Sequence, residues 1–181
     1  MKARLFILLG LIALAFTACD LGGSVNNTPI IYFVTNPINN NTDTLYKYIT
    51  DQSGVYRMDT VSVGDTVNFH MLLYGYSNNL TSYYVTVSDT TCAKILLPPT
   101  SSLDSVFLSS SSNYSNGKFV FKNKITSLYF PFKYVVKKVS NDEKITFVIN
   151  SDANFNSIGG GGNSFSFILQ TPIIPDTTKI K

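Results

Sequence analysis

Few side chains in this 181-residue chain can do covalent or acid–base chemistry, and their spacing closes most routes to it. His70 is the single histidine, and Cys19 and Cys92 are the two thiols, so a histidine-based metal cluster is excluded and no zinc site reaches its usual ligand count. A Cys92 nucleophile with His70 as its base would need both groups on one face. His70 falls on the polar parity of its segment, whereas Cys92 stands beside Ala93 ahead of an apolar run, the setting of a buried, inert thiol. Glycoside hydrolysis needs two positioned carboxylates, and Asp142-Glu143 is the only adjacent acidic pair. It lies in residues 140–144, which read as a turn with solvated carboxylates. Asp152, Asn154 and Asn156 copy the first oxygen positions of a calcium loop, but Ser157 replaces its glycine and Asn163 its bidentate glutamate. The run Gly159 to Gly162 lacks the Lys and Ser or Thr that complete a phosphate loop. The expectation is a protein that is not an enzyme, with no catalytic residue, no cofactor and no metal.

Two patterns point to recognition or modification instead. Tyr74, Tyr76, Tyr83 and Tyr84 flank the Ser77-Asn78-Asn79 turn, where rings and amides could stack on a sugar or dock a protein. The plainer alternative is that they cap the end of a core with their hydroxyls in water. The second pattern is Asp followed by Ser or Thr and then an apolar residue or Thr, which recurs at Asp43, Asp59, Asp65, Asp89, Asp104 and Asp176. It resembles the O-glycosylation acceptor motif of exported proteins in some bacterial groups. That resemblance makes Thr44, Thr60, Thr66, Thr90, Ser105 and Thr177 candidate acceptors. Asp-Thr is equally a good way to leave a turn and begin a strand.

Cys19 belongs to a different arrangement. Lys2 and Arg4 precede an apolar stretch over residues 5–18, and Phe16-Thr17-Ala18 leads directly into the thiol. Cations, a short apolar run and small residues before a cleavage point make an export signal, and the run is shorter than the roughly twenty residues a bilayer-spanning helix needs. The segment resembles the export signal of bacterial lipoproteins, with Phe16 where the strict pattern has Leu or Val. The resemblance implies that a diacylglycerol is attached to Cys19 and that the peptide is cut before it. Residues 1–18 are then the signal peptide, 19–29 the lipidated cysteine and a flexible tether rich in Gly, Asn and Ser, and 30–181 a single folded domain. Two acyl chains of about fifteen methylenes each, at ~0.8 kcal/mol per buried group, anchor on the order of 24 kcal/mol. In some bacterial lipoproteins an Asp directly after the cysteine, as Asp20 is here, marks retention at the inner membrane, and surface-displayed ones often carry several acidic residues where this chain has Leu21-Gly22-Gly23; the resemblance implies a periplasm-facing position, with the cell surface as the alternative.

The signal holds two of the fourteen basic residues, which leaves twelve against eleven acids, a formal charge of +1 and no electrostatic footprint for nucleic acid. The charges are uneven, because seven lysines lie between Lys118 and Lys144. A shared lysine face could attract an acidic partner, although lysines also protect solvent faces and edge strands. With Cys19 acylated, Cys92 has no partner and a disulfide-stapled fold is excluded.

Positioning falls to strands. Val67, Phe69, Met71 and Leu73 share a parity, as do Tyr83, Val85 and Val87, and Leu128, Phe130, Phe132, Tyr134 and Val136. Two further runs follow, Ile145-Phe147-Ile149 and Phe165-Phe167-Leu169. Pro131 cannot donate to a ladder, so its strand is expected at an edge or with a bulge. No window outside the signal shows sustained helical spacing. The chain therefore reads as all-β, a two-sheet antiparallel β-sandwich, with a closed barrel as runner-up. Residues 63–69, with their Gly64-Asp65 turn, and the closing pair 144–150 and 164–169 resemble strands of bacterial immunoglobulin-like domains. Trp and the paired cysteines of antibody-type domains are missing.

The combined expectation is a lipid-anchored protein of the bacterial cell envelope, held to the membrane through its N-terminal lipid. Its immunoglobulin-like domain binds a protein partner. The alternative is a carbohydrate-binding lipoprotein of a glycan-uptake system that uses its exposed tyrosines.

Overall fold

The structure, a computed structural model, describes residues 26–40, 42–43, 46–47, 55–155 and 162–176. Its elements are strands β1 (Ile30–Phe33), β2 (Ile38–Asn39), β3 (Thr42–Asp43), β4 (Tyr46–Lys47), β5 (Val55–Met58), β6 (Val61–Ser62), β7 (Thr66–Tyr74), β8 (Leu80–Val87) and β9 (Ala93–Leu96), followed by helix α1 (Thr100–Val106). A 3-10 turn (Tyr114–Asn116) then leads to β10 (Lys118–Val120), β11 (Ser127–Val136), β12 (Lys144–Ser151), β13 (Ser164–Gln170) and β14 (Ile173–Ile174).

These strands form an immunoglobulin-like β-sandwich. Sheet A runs β3-β2-β7-β11-β9, with β1 also on β7, and sheet B runs β10-β8-β12-β13-β5-β4. Pairing is antiparallel except at β13–β5 and in the small β14–β6 sheet, both parallel. Period-two patterning produces this arrangement: one parity of each long strand is apolar and buried, and the other faces out. Val67, Phe69, Met71 and Leu73 of β7 meet Tyr83, Val85, Ile145, Phe147 and Leu169 of sheet B in one continuous core. Phe69 stacks on Phe132 at 4.7 Å and 3°, and Phe147 on Phe167 at 4.6 Å; Phe69 and Phe147, at 6.4 Å, join the two sheets.

Pro131 sits where its chemistry allows. β9 covers only Lys133 to Val136 of β11, so at Pro131 the side of the strand away from β7 has no partner strand among the described residues. The strand is interior at one end and an edge at the other. Helix α1 has no counterpart in the sequence reading, because seven residues are too few to show a period. It inserts Leu103 into the core, and Phe107 behind it packs 5.0 Å from Phe119 and 4.8 Å from Phe121.

Candidate functional site

The outward parity of sheet A carries rings and a few cations. Tyr32 of β1 and Tyr129 of β11 both lie opposite Leu72 of β7, which places Tyr32, Leu72 and Tyr129 in one row across three strands. The neighbouring rows are Ile30-Tyr74-Ser127 and His70-Pro131. Tyr32 is 42% exposed and Tyr129 50%. His70 Nδ1 and the Tyr129 hydroxyl are hydrogen-bonded. β1, β7, β9 and β11 contain no acidic residue, while Lys94 and Lys133 add two cations.

Tyr76 completes the patch from the β7–β8 turn. Its backbone is left-handed, with φ of +58°, a region that a bulky side chain enters at a cost of about 1–3 kcal/mol and only when its surroundings hold it there. Its ring lies 4.5 Å from that of Tyr74, and the Tyr76 and Tyr32 hydroxyls are 3.3 Å apart. The hydrogen bond with Tyr32 raises the Tyr76 phenol above its ordinary pKa, followed by desolvation and the neighbouring Tyr32 and Tyr74. Gly75 makes the turn: a Cβ there would lie 2.4 Å from the Asn78 carbonyl oxygen.

The four tyrosines singled out in the sequence do not form one site. Tyr74 and Tyr76 belong to the outer face of sheet A. Tyr84 is half-buried on β8, opposite Val148 in sheet B. Tyr83 is fully buried, 5.2 Å from Phe130 and 5.7 Å from Phe119, and is corrected from ligand contact to core. The reason is parity, since Tyr83 alternates with Val85 on the inward side. Burial drives its phenol pKa far up, and its hydroxyl has no hydrogen-bond partner among the described residues. Sequence reasoning missed Tyr32 and Tyr129, which are far from Tyr74 in the chain and reach it only through strand pairing.

Cys19, the expected lipidation site, and the glycosylation candidates Thr44 and Thr177 lie outside the described residues. Thr60 and Thr90 are exposed, and Thr66 is half-buried at the start of β7. Ser105 sits in α1 with its hydroxyl donating to the Ser102 carbonyl at 2.6 Å. Two of the partnering aspartates organise turns. Asp65 accepts from Asn39 and Asn40 side chains at 2.7 and 2.8 Å and from the Ser62 N–H at 2.9 Å, while Asp89 accepts from the Thr91 N–H at 2.7 Å.

Other chemistry-bearing residues are held apart. Cys92 is buried at the head of β9, and its thiol donates to Asp89 at 3.3 Å; that bond and desolvation raise its pKa. His70 is engaged with Tyr129 on the outer face of the same sheet. The Asp142-Glu143 pair is split, correcting the solvated-turn reading. Glu143 shares the inward parity of Ile145 and Phe147 and is 1% exposed, with one carboxylate oxygen accepting from the Ser88 and Asp89 N–H groups at 3.1 and 3.3 Å. Asp152 is committed to Asn79, accepting from its N–H and its side-chain amide at 2.7 Å each. Among the described residues no group of three His, Cys, Asp or Glu could hold a metal ion.

No protein-family model matches this chain, and no curated protein matches it. Among solved structures it is similar to the cohesin module from the Clostridium perfringens ATCC13124 family 33 glycoside hydrolase. The identity is 14%, over 78% of this chain and 99% of that one, at a TM-score of 0.38. So distant a likeness adds nothing about function.

Proposed function

We propose that this chain is a non-enzymatic binding module of the bacterial cell envelope, tethered by a lipid on Cys19, with the outer face of sheet A as its recognition surface for a protein partner. The layout of residues 1–19 supports the tether. The observation that carries the surface is Tyr76, held in a strained backbone conformation beside Tyr74 and Tyr32 at the margin of an exposed aromatic row. Strain of this kind persists where a side chain is aimed for use. Tyrosine suits the task because its ring gives contact area at low entropic cost and its hydroxyl stays hydrogen-bonded at the rim.

The tether is tested by labelling with radioactive palmitate: the chain takes up label and enters the detergent phase, and Cys19→Ala does neither. Label on Cys19→Ala, or none on the unaltered protein, would refute it. For the surface, a photo-cross-linking phenylalanine replaces Tyr129 in living cells, with Tyr84 as the site on the opposite sheet. A protein adduct from position 129, absent from position 84 and lost with Tyr76→Ala, is expected. If no adduct forms and a glycan array instead gives a signal that Tyr76→Ala and Tyr129→Ala abolish, the protein partner yields to a carbohydrate.

A further inference from the structure

A second surface, which shares only Lys94 with the outer face of sheet A, lies on the open side of the sandwich between β8 and β9. Among the described residues β9 is the last strand of sheet A, and one of its edges has no described neighbouring strand. The direction of its main-chain groups follows from the ladder. Lys137 donates its N–H to the Cys92 carbonyl, whereas Val136 donates to Asp65 and accepts from Gly64 on the opposite side. In an antiparallel pair these roles alternate, so Lys94 and Leu96 bond to β11 and Ile95 points its N–H and C=O out of the sheet.

Sheet B is unfinished at the same place. Phe121 donates to the Thr81 carbonyl and Val85 to that of Gly117, so the next outward position on β8 is Val87. The opposing chain has already curled into the Tyr114–Asn116 turn there. Gly117 enforces that turn: its φ is +65°, and a Cβ on it would fall 1.9 Å from the Val85 carbonyl oxygen.

Between the two edges runs a groove of about 360 Å³. Val87, Ile95, Leu97 and Tyr114 line it and pack against the core, so its floor is core left uncovered. Lys94 lines it as well, and no acidic side chain does.

We infer that this groove takes an extended peptide segment of a partner protein, added to β9 as a further strand. Outward N–H and C=O groups at Ile95 call for another backbone in extended form, the recognition mode of strand addition. The apolar floor calls for apolar side chains at alternate positions. The lone cation selects a segment with an acidic residue that can reach Lys94. A small molecule would leave the edge unpaired, and a sugar would not fill the floor.

The test uses the full chain, isotopically labelled for amide exchange, and a short peptide alternating Val and Thr with one Asp. The control peptide is N-methylated at every second amide. The Ile95 and Val87 amides are expected to exchange rapidly in the free protein. At Ile95 the unmodified peptide slows exchange by at least about tenfold, and the methylated one does not. Ile95→Pro removes an outward donor without touching the β11 ladder and is expected to weaken binding by about tenfold or more. Should that variant fold poorly, exposed Lys94→Glu serves instead, reversing the preference between Asp-bearing and Lys-bearing peptides. Absence of protection, or equal protection by the methylated peptide, overturns the proposal. Protection that grows with protein concentration alone also overturns it, assigning the edge to a second copy of this chain.

Discussion

Strands β7 and β11 carry aromatic rings on both faces, and the two faces have opposite fates. Inside, Phe69 and Phe132 stack and are closed over by Phe147 of the other sheet. Outside, Tyr74 and Tyr129 join Tyr32 and Tyr76 in a layer with no sheet above it among the described residues. Phenylalanine takes the inner positions because it brings no polar atom into the core. Tyrosine takes the outer ones because its hydroxyl can be satisfied there by His70, another tyrosine or water. Two tyrosines break this division. Tyr134 lies inside with its hydroxyl 2.8 Å from that of Thr171, and Tyr83 lies inside with no such partner.

Substitutions on the two faces should separate stability from binding. Phe69→Ala is expected to cost about 3–5 kcal/mol in urea unfolding, since it leaves a cavity between stacked rings, whereas Tyr129→Ala changes stability by about 0.5 kcal/mol or less. Similar losses for both would mean that the outer layer is structural. At the buried margin, Glu143→Ala strands the Asp89 N–H, while the Ser88 N–H keeps the Lys144 carbonyl at 2.9 Å, and should cost about 1–3 kcal/mol. The two inner tyrosines then sharpen the contrast with opposite signs: Tyr83→Phe gains up to about 1 kcal/mol by removing an unpaired hydroxyl, and Tyr134→Phe loses about 1 kcal/mol with its bond to Thr171.

The smallest effect lies off both faces, in the turn that leads into β9. The hydroxyl and N–H of Thr91, followed by the Cys92 thiol, hold the Asp89 carboxyl down from 3.8 to about 2. A lowered folded-state pKa contributes stability that is present above the ordinary value and lost as pH falls toward about 2. Asp89→Asn should therefore flatten the acid limb of the unfolding curve between those values, lying below the unaltered protein at neutral pH and converging with it as pH falls toward about 2. An unchanged acid limb would show that the Thr91 hydrogen bonds do not favour the charged form.

Much of the fold was legible. Alternation identified β7, β8, β11, β12 and β13 and named most of the core, because a half-buried strand writes its exposure into the sequence with a period of two. The same rule, applied to Tyr83 beside Val85, already indicated the core. Grouping it with Tyr74, Tyr76 and Tyr84 by nearness in sequence set the rule aside. Glu143 is the same lesson for a charged group, drawn inward by the parity of Ile145, with one oxygen accepting from two backbone N–H groups just past the end of β8 and the other without a partner among the described residues. Helix α1 left no trace because it exposes most of its seven residues.

The sequence alone determined the strand content and the inward parity of each long strand, since each is written in residues adjacent or nearly adjacent in the chain. Only the tertiary structure decided that Tyr32 and Tyr129 meet across Leu72, that Tyr84 lies on the other sheet, and that β9 is the last described strand of sheet A. Register and strand order arise from pairings between residues far apart in sequence, and two sheets closing on one core select among arrangements that local patterning leaves equivalent.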